Sequence, residues 1–249
     1  SIALDHDPFE SDTTMSSERP VSALPATALL HLLQLCSPSL PVGAYSYSQG
    51  LEAAMVQGLV HDEASARYWI VDMLEDVVAR FEAPMCWRLI QAFSARNVTL
   101  IQELNDCFLA ARDTAEFRAE TVQMGYSLSK LLQELTPECQ DMTLLMSQLP
   151  EVAFPTAFAA ACTALNIPSD EALIGLLFSW AENQVIACVK SVPLGQVSGQ
   201  RLLLSLEPAL ESAALNARRF SDEELSNWSP GLSLLSMQHE VQYSRLYRS

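Results

Sequence analysis

The chain has 249 residues, 49 % of them hydrophobic, and its 30 acidic against 14 basic side chains give a formal charge of −16. That length and apolar content fill a core without staples, while the acidic surface repels phosphate backbones and anionic headgroups, which excludes nucleic acid and membrane as partners. Only 8 Gly are present and the 13 Pro fall mostly at segment edges, a balance that favours helices and predicts an all-α fold.

Residues 1–23 carry Asp5, Asp7, Glu10 and Asp12 with neither a basic start nor an apolar run. They read as a disordered acidic extension and not as a signal peptide. From Pro25 to Leu35, five leucines at helical spacing predict a short buried helix. Ser37 to Gly43 cannot continue it, because Pro38 and Pro41 each remove a donor and restrict the residue before them. A second helix is expected from about Tyr45 to Gln57, ending at Gly58.

Asp62 or Ser65 caps the next helix, in which Tyr68, Trp69, Val71, Met73, Leu74 and Val77 recur at helical spacing. Pro84 marks a new start running to Phe93. Further helices are predicted over Thr99 to Ala111 and Thr114 to Leu135, after which Pro137, Pro150, Pro155 and Pro168 punctuate the middle. Ser169, Asp170 and Glu171 supply cap oxygens and negative charge to a long helix that is apolar nearly all round, as expected at a bundle centre or a subunit interface. Its apolar run is broken by Glu182, Asn183 and Gln184, too short and too polar to span a bilayer.

Pro193-Leu194-Gly195 ends that helix, and Gly199 precedes one more through Leu206. Apolar density falls after Pro208. The organisation expected is therefore one bundle of roughly ten helices over 24–228, followed by a flexible tail, 229–249, of the kind that orders against a partner.

Residues with catalytic or ligating chemistry do not converge in sequence. The six cysteines lie singly, mostly among apolar neighbours, with no CxxC pair, which suits reduced buried thiols in a reducing compartment and predicts a cytoplasmic chain. His6, His31, His61 and His239 form no metal motif. The run Val192 to Arg201 lacks the glycine spacing and the Lys-Ser/Thr pair of a phosphate loop. Gly43-Ala44-Tyr45-Ser46 does not match a nucleophile elbow. No catalytic, cofactor-binding or metal residue is assigned, and no enzyme is expected.

Three local sequences are too unusual for generic helical packing. They are Ser37-Pro38-Ser39-Leu40-Pro41-Val42-Gly43-Ala44-Tyr45-Ser46-Tyr47-Ser48-Gln49-Gly50-Leu51-Glu52, then Val192-Pro193-Leu194-Gly195-Gln196 with Gly199-Gln200-Arg201, then His239-Glu240-Val241-Gln242-Tyr243-Ser244-Arg245-Leu246-Tyr247-Arg248-Ser249. Each resembles a signature segment of the UreF family of urease accessory proteins. The stretch Ala111-Arg112-Asp113-Thr114-Ala115-Glu116-Phe117-Arg118 and Gln123-Met124-Gly125 also lie where that family has them, so the resemblance covers about residues 25 to 249. A departure is Glu151 to Phe158, where relatives carry a histidine-containing stretch.

The resemblance implies an all-α, usually dimeric protein that binds the accessory protein UreD (UreH in some bacteria), recruits the GTPase UreG, and acts with them on apo-urease during nickel delivery. It implies no catalytic activity. A role as activator or gate of the GTPase is the alternative, with Arg201, Arg245 or Arg248 as arginine-finger candidates; a nickel-binding chaperone is a further one. The partner-binding residues expected are Pro38, Pro41, Gly43, Tyr45, Tyr47, Gln49 and Glu52 in the proline-stiffened turn. Gln196, Gln200 and Arg201 join them at an interhelix corner, as do Tyr243, Arg245 and Arg248 in the tail. A rigid turn loses little entropy on binding, and aromatic and arginine side chains are the usual interface anchors.

Overall fold

The computed structural model describes residues 24–43, 50–135 and 140–225, and no strand occurs among them. The all-α expectation is met. The expected tail and acidic extension, with Tyr45, Tyr47, Gln49, Tyr243, Arg245 and Arg248, lie outside the described residues.

Helix α1 (Ala26–Leu35) forms where predicted, yet only Ala28 and Leu35 of it are buried. Leu30 and Leu33 are 65 % and 59 % exposed, so the expectation of a buried helix is corrected. The next helix, α2, is Leu51–Val56. A continuous helix from Tyr45 is ruled out by Gly50, whose φ of +81° is a left-handed conformation open to glycine at little cost.

Helix α3 (Glu63–Met73) starts on a reciprocal cap: Ser65 N–H donates to Asp62 Oδ1 at 2.8 Å, and Asp62 N–H donates to Ser65 Oγ at 3.0 Å. It does not stop before Pro84. The backbone passes through a π-helical segment, Leu74–Glu82, into α4 (Ala83–Ser94), in which Ala83 N–H donates to Val78 O, five residues back. Pro84 has no N–H and its ring would strike the carbonyl four residues earlier. A widened turn just before it lets the helix continue where a break was expected.

Helices α5 (Val98–Ala110) and α6 (Ala115–Leu135) follow as predicted, α5 capped by the Asn97 side chain, which accepts from Leu100 N–H at 3.1 Å. Then come three helices that the periodicity did not reveal: α7 (Gln140–Met146), α8 (Phe154–Ala164) and, late in the chain, α11 (Glu207–Ala217). Between them lie α9 (Ser169–Ser191) and α10 (Gln196–Ser205). Pro168 is the N-cap of α9 and Ser169 is its first residue, while Asp170 pairs with Arg218 at 2.6 Å instead of capping. Gly199 lies inside α10, not before it; a Cβ there would come within 2.5 Å of Val189.

The apolar interior forms two main bodies. One gathers α2, α3, the π segment, α9, α10 and α11; the other gathers α1, α4, α6, α7 and α8. Helices α4 and α9 contribute to both, Ala83 and Leu173 to the first, Cys86 and Ala172 to the second. Helix α9, at 23 residues, is longer than its apolar run suggested, and by length and composition it could cross a membrane. Half of its apolar window is buried in the fold, which is how a core helix passes that test.

The anchor of the second body is Asn105, fully buried in α5. Its Nδ2 donates to Glu151 O at 2.9 Å, and its Oδ1 accepts from Ala153 N–H at 3.0 Å and from Thr156 Oγ1–H at 2.9 Å. Thr121 Oγ1 of α6 accepts from Phe154 N–H at 3.0 Å. The start of α8 is thus capped from two other helices, where the local sequence offers only Ala153. At the same junction Gly125 permits close approach, since a Cβ there would overlap Val152 O.

Candidate functional site

The proline turn after α1 is built from local bonds. Ser39 N–H donates to Ser37 Oγ at 3.2 Å, Leu40 N–H to Ser37 O at 3.0 Å, and Val42 N–H to Leu40 O at 2.8 Å. Leu40 and Val42 pack into the second apolar body, leaving Pro38, Pro41 and Gly43 on the surface. The turn is therefore tethered by its apolar residues and presents its prolines outward. Glu52 differs from the rest, being only 8 % exposed at the start of α2.

Gln196, Gln200 and Arg201 are all exposed on α10. Arg201 Nη2 donates to Ser198 Oγ at 2.9 Å and lies 3.6 Å from Glu63 Oε2, which links α10 to α3. Helices α1, α2 and α10 all pack on α9. Helix α9 thus supports the helices that flank or carry the described parts of both motif regions.

Cys36, Cys86, Cys162 and Cys188 are buried and behave as structural residues, whereas Cys107 is exposed, which corrects the expectation of a buried thiol there. Burial pushes the Cys36 and Cys188 thiols up to about 12 and raises Cys86 and Cys162 as well, with Glu182 adding to the effect at Cys36. Thiols held protonated serve neither as nucleophiles nor as metal ligands. His31 Nδ1 lies 3.1 Å from Leu165 O and His61 Nδ1 3.1 Å from Gly58 O. Among the described residues, no group of three or more His, Cys, Asp or Glu is arranged to hold a metal ion.

Sequence reasoning missed a cleft of about 120 Å³ beside the π segment. Val77, Val78 and Glu82 form one wall, Arg112 to Met124 another, and Trp180 with Gln184 of α9 a third. Arg112 is its centre. The guanidinium lies 4.2 Å from the Phe108 ring centroid and 5.5 Å from that of Phe81, rings themselves stacked at 5.6 Å. Its Nη1 donates to Glu82 Oε1 at 2.8 Å, whereas Nε and Nη2 are buried without an acceptor. A buried donor left unpaired costs about 1–3 kcal/mol, so its presence here marks a place of interest. The signal available beforehand was Arg112 within the Ala111 to Arg118 motif, together with a proline inside an uninterrupted helical pattern.

Comparison with known proteins agrees with the motifs. A family profile described as UreF matches residues 60–207. The urease accessory protein UreF of Janthinobacterium sp. (strain Marseille) is 66 % identical over 90 % of this chain and 99 % of its own length. UreF of Nitrosospira multiformis is 60 % identical over 89 % of this chain and 98 % of its own, and UreF of Azoarcus sp. (strain BH72) is 50 % identical over 89 % and 95 %. Identity at this level over almost the whole of each relative shows that the chain belongs to the UreF family of urease accessory proteins.

Proposed function

We propose that the chain is a non-catalytic assembly scaffold of urease maturation. It binds the accessory protein UreD (UreH), recruits the GTPase UreG and works with both on apo-urease in the cytoplasm while nickel is inserted. The observation that carries this reading is the placement of the described motif residues. Pro38, Pro41 and Gly43 on one side, and Gln196, Gln200 and Arg201 on another, are exposed on elements seated on α9. They form a rigid display of contact residues without a reactive group among them. Tyr45, Tyr47 and Gln49, with Tyr243, Arg245 and Arg248, complete the surface in this proposal, and Glu52 supports it from within.

The scaffold acts as a homodimer. Leu29, Leu30 and Leu33 of α1 and Ile174 and Phe178 of α9 are exposed apolar side chains on two helices that pack together. A patch with one composition on both copies suits a two-fold interface, in which each patch meets its own image.

Size exclusion of the chain alone, then with UreD and UreG added, tests both statements. A dimer alone and a ternary complex with no nickel held by the chain by itself support the scaffold. A faster GTP hydrolysis by UreG that is lost in Arg201→Ala, Arg245→Ala or Arg248→Ala would establish the activator reading in its place. Tight nickel binding by the isolated chain would establish the chaperone.

A further inference from the structure

We propose that Glu182 is the proton-binding group of the α1/α9 self-association face, so that two copies take up protons as they pair and separate as pH rises. The inference rests on the dimer reading given above. Ile174, Phe178 and Glu182 recur every four residues along α9 and so share one stripe of it. Helix α1 is seated beside that stripe: a Cβ on Gly175 would come within 2.5 Å of Leu32 Cδ1 and 2.8 Å of Cys36 Sγ. Leu29, Leu30 and Leu33 of α1 stand exposed, as do Ile174 and Phe178. No charged residue occurs from Ala26 to Leu35 or from Ala172 to Ala181. Two chains that each carry −16 meet at least cost through such a charge-free face, and Glu182 is the first charge met along α9 beyond it.

Glu182 is not placed as a surface carboxylate is. Its Oε2 is buried and has no hydrogen-bond partner. Helices α1, α2, α3, α4, α8, α10 and α11 all pack on α9. Burial by itself lifts the Glu182 carboxyl above its ordinary value of 4.5, with no charge on those helices assisting or opposing. The one titratable group that feels its charge is the Cys36 thiol of α1, which burial and Glu182 together hold protonated. His31 of α1 is turned to Leu165 O, 3.1 Å from its Nδ1. Arg88 of α4 pairs with Asp222, and Arg218 of α11 with Asp170. A second copy laid on the stripe removes more water from the Glu182 carboxyl, which disfavours its ionised form further. Its pKa is therefore higher in the dimer than in the monomer. The stabilisation of the dimer is full below the monomer value and is lost as pH rises through the dimer value. The charge on each chain also loosens a dimer as pH rises, but that general repulsion is screened by salt, whereas a desolvated carboxyl is screened little.

Sedimentation equilibrium of the full chain in high salt, at about pH 6 and about pH 8, compares the natural protein with Glu182→Gln. The natural chain is expected to dimerise about tenfold more weakly at the higher pH, and Glu182→Gln, which has no proton to lose, about equally at both. His31→Gln is expected to keep the natural dependence. A dependence that persists in Glu182→Gln, or vanishes in His31→Gln, overturns the proposal while leaving the dimer reading intact. A Leu30→Ser/Leu33→Ser protein that still dimerises with the natural dependence places Glu182 outside this face and overturns it too. A natural chain that is monomeric at both pH values overturns the proposal and the dimer reading together.

Discussion

Helices α8 and α1 invert the usual relation between hydrophobicity and burial. Helix α8 has five alanines among its eleven residues and only two large side chains, Phe154 and Phe158, yet every residue from Pro155 to Cys162 is buried. Helix α1 contains five leucines and buries only Ala28 and Leu35. Alanine on all faces lets α4, α6 and α7 approach the α8 backbone from several sides, so small residues mark the most enclosed helix of the domain. Leucine on an open face has no such partner, and what it gains must come from another surface.

Four experiments bear on this contrast. The largest effect is expected for Asn105→Ala, which removes three hydrogen bonds at the start of α8 and leaves Ala153 N–H and Glu151 O without partners. A loss of about 3 kcal/mol in urea unfolding is the expected result, and a change under about 1 kcal/mol would show that α8 is held by packing alone. Ala160→Leu, in the middle of the buried run, should cost about 2 kcal/mol by overpacking. Neutral behaviour would mean that α4 and α6 can separate.

On the other helix, Leu30→Ser/Leu33→Ser should change the stability of a monomer by no more than about 0.5 kcal/mol, as at ordinary surface sites. Sedimentation should meanwhile show the proposed dimer dissociating. A protein that unfolds instead would place those leucines in the core of the domain.

The smallest effect concerns the junction before α8, where Arg118 Nη2 pairs with Glu151 Oε2. Hydrogen bonding to Arg118, together with its charge, holds the Glu151 carboxyl below its ordinary value of 4.5. The folded pKa is lowered, so the stabilisation is present above 4.5 and is lost as pH falls through the lowered value. Both groups are solvent-exposed, so the slope is shallow. Thermal melts should show a slightly steeper acid-side decline for the natural protein than for Glu151→Gln, and identical slopes would remove the pair from the account.

Legibility tracked the kind of signal that each element carries. Helix α3 was readable because a cap residue, Asp62, and apolar spacing coincide, and α5 and α6 were readable from helical spacing alone. Helix α8 was not, because Phe154-Pro155-Thr156-Ala157 has neither an apolar stripe nor a local cap; its capping oxygens reside on Asn105 and Thr121, 33 or more positions away. The break expected at Pro84 rested on a sound rule about α-helices, and the chain met it by changing helix type. Of the candidate site, the exposed prolines and Gln196, Gln200 and Arg201 were legible as motifs. The cleft was not, since Arg112 meets Phe81, Glu82 and Phe108 only through the crossing of α5 with the π segment.

The sequence by itself determined the helical class, most helix starts, the proline turn and the family, because propensity, capping and motif identity are properties of neighbours along the chain. Tertiary structure alone decided which apolar residues are interior, where α8 begins and that Arg112 ends buried with Nε and Nη2 unpaired. Those outcomes depend on which surfaces meet, and burial is a relation between distant segments that no local pattern encodes.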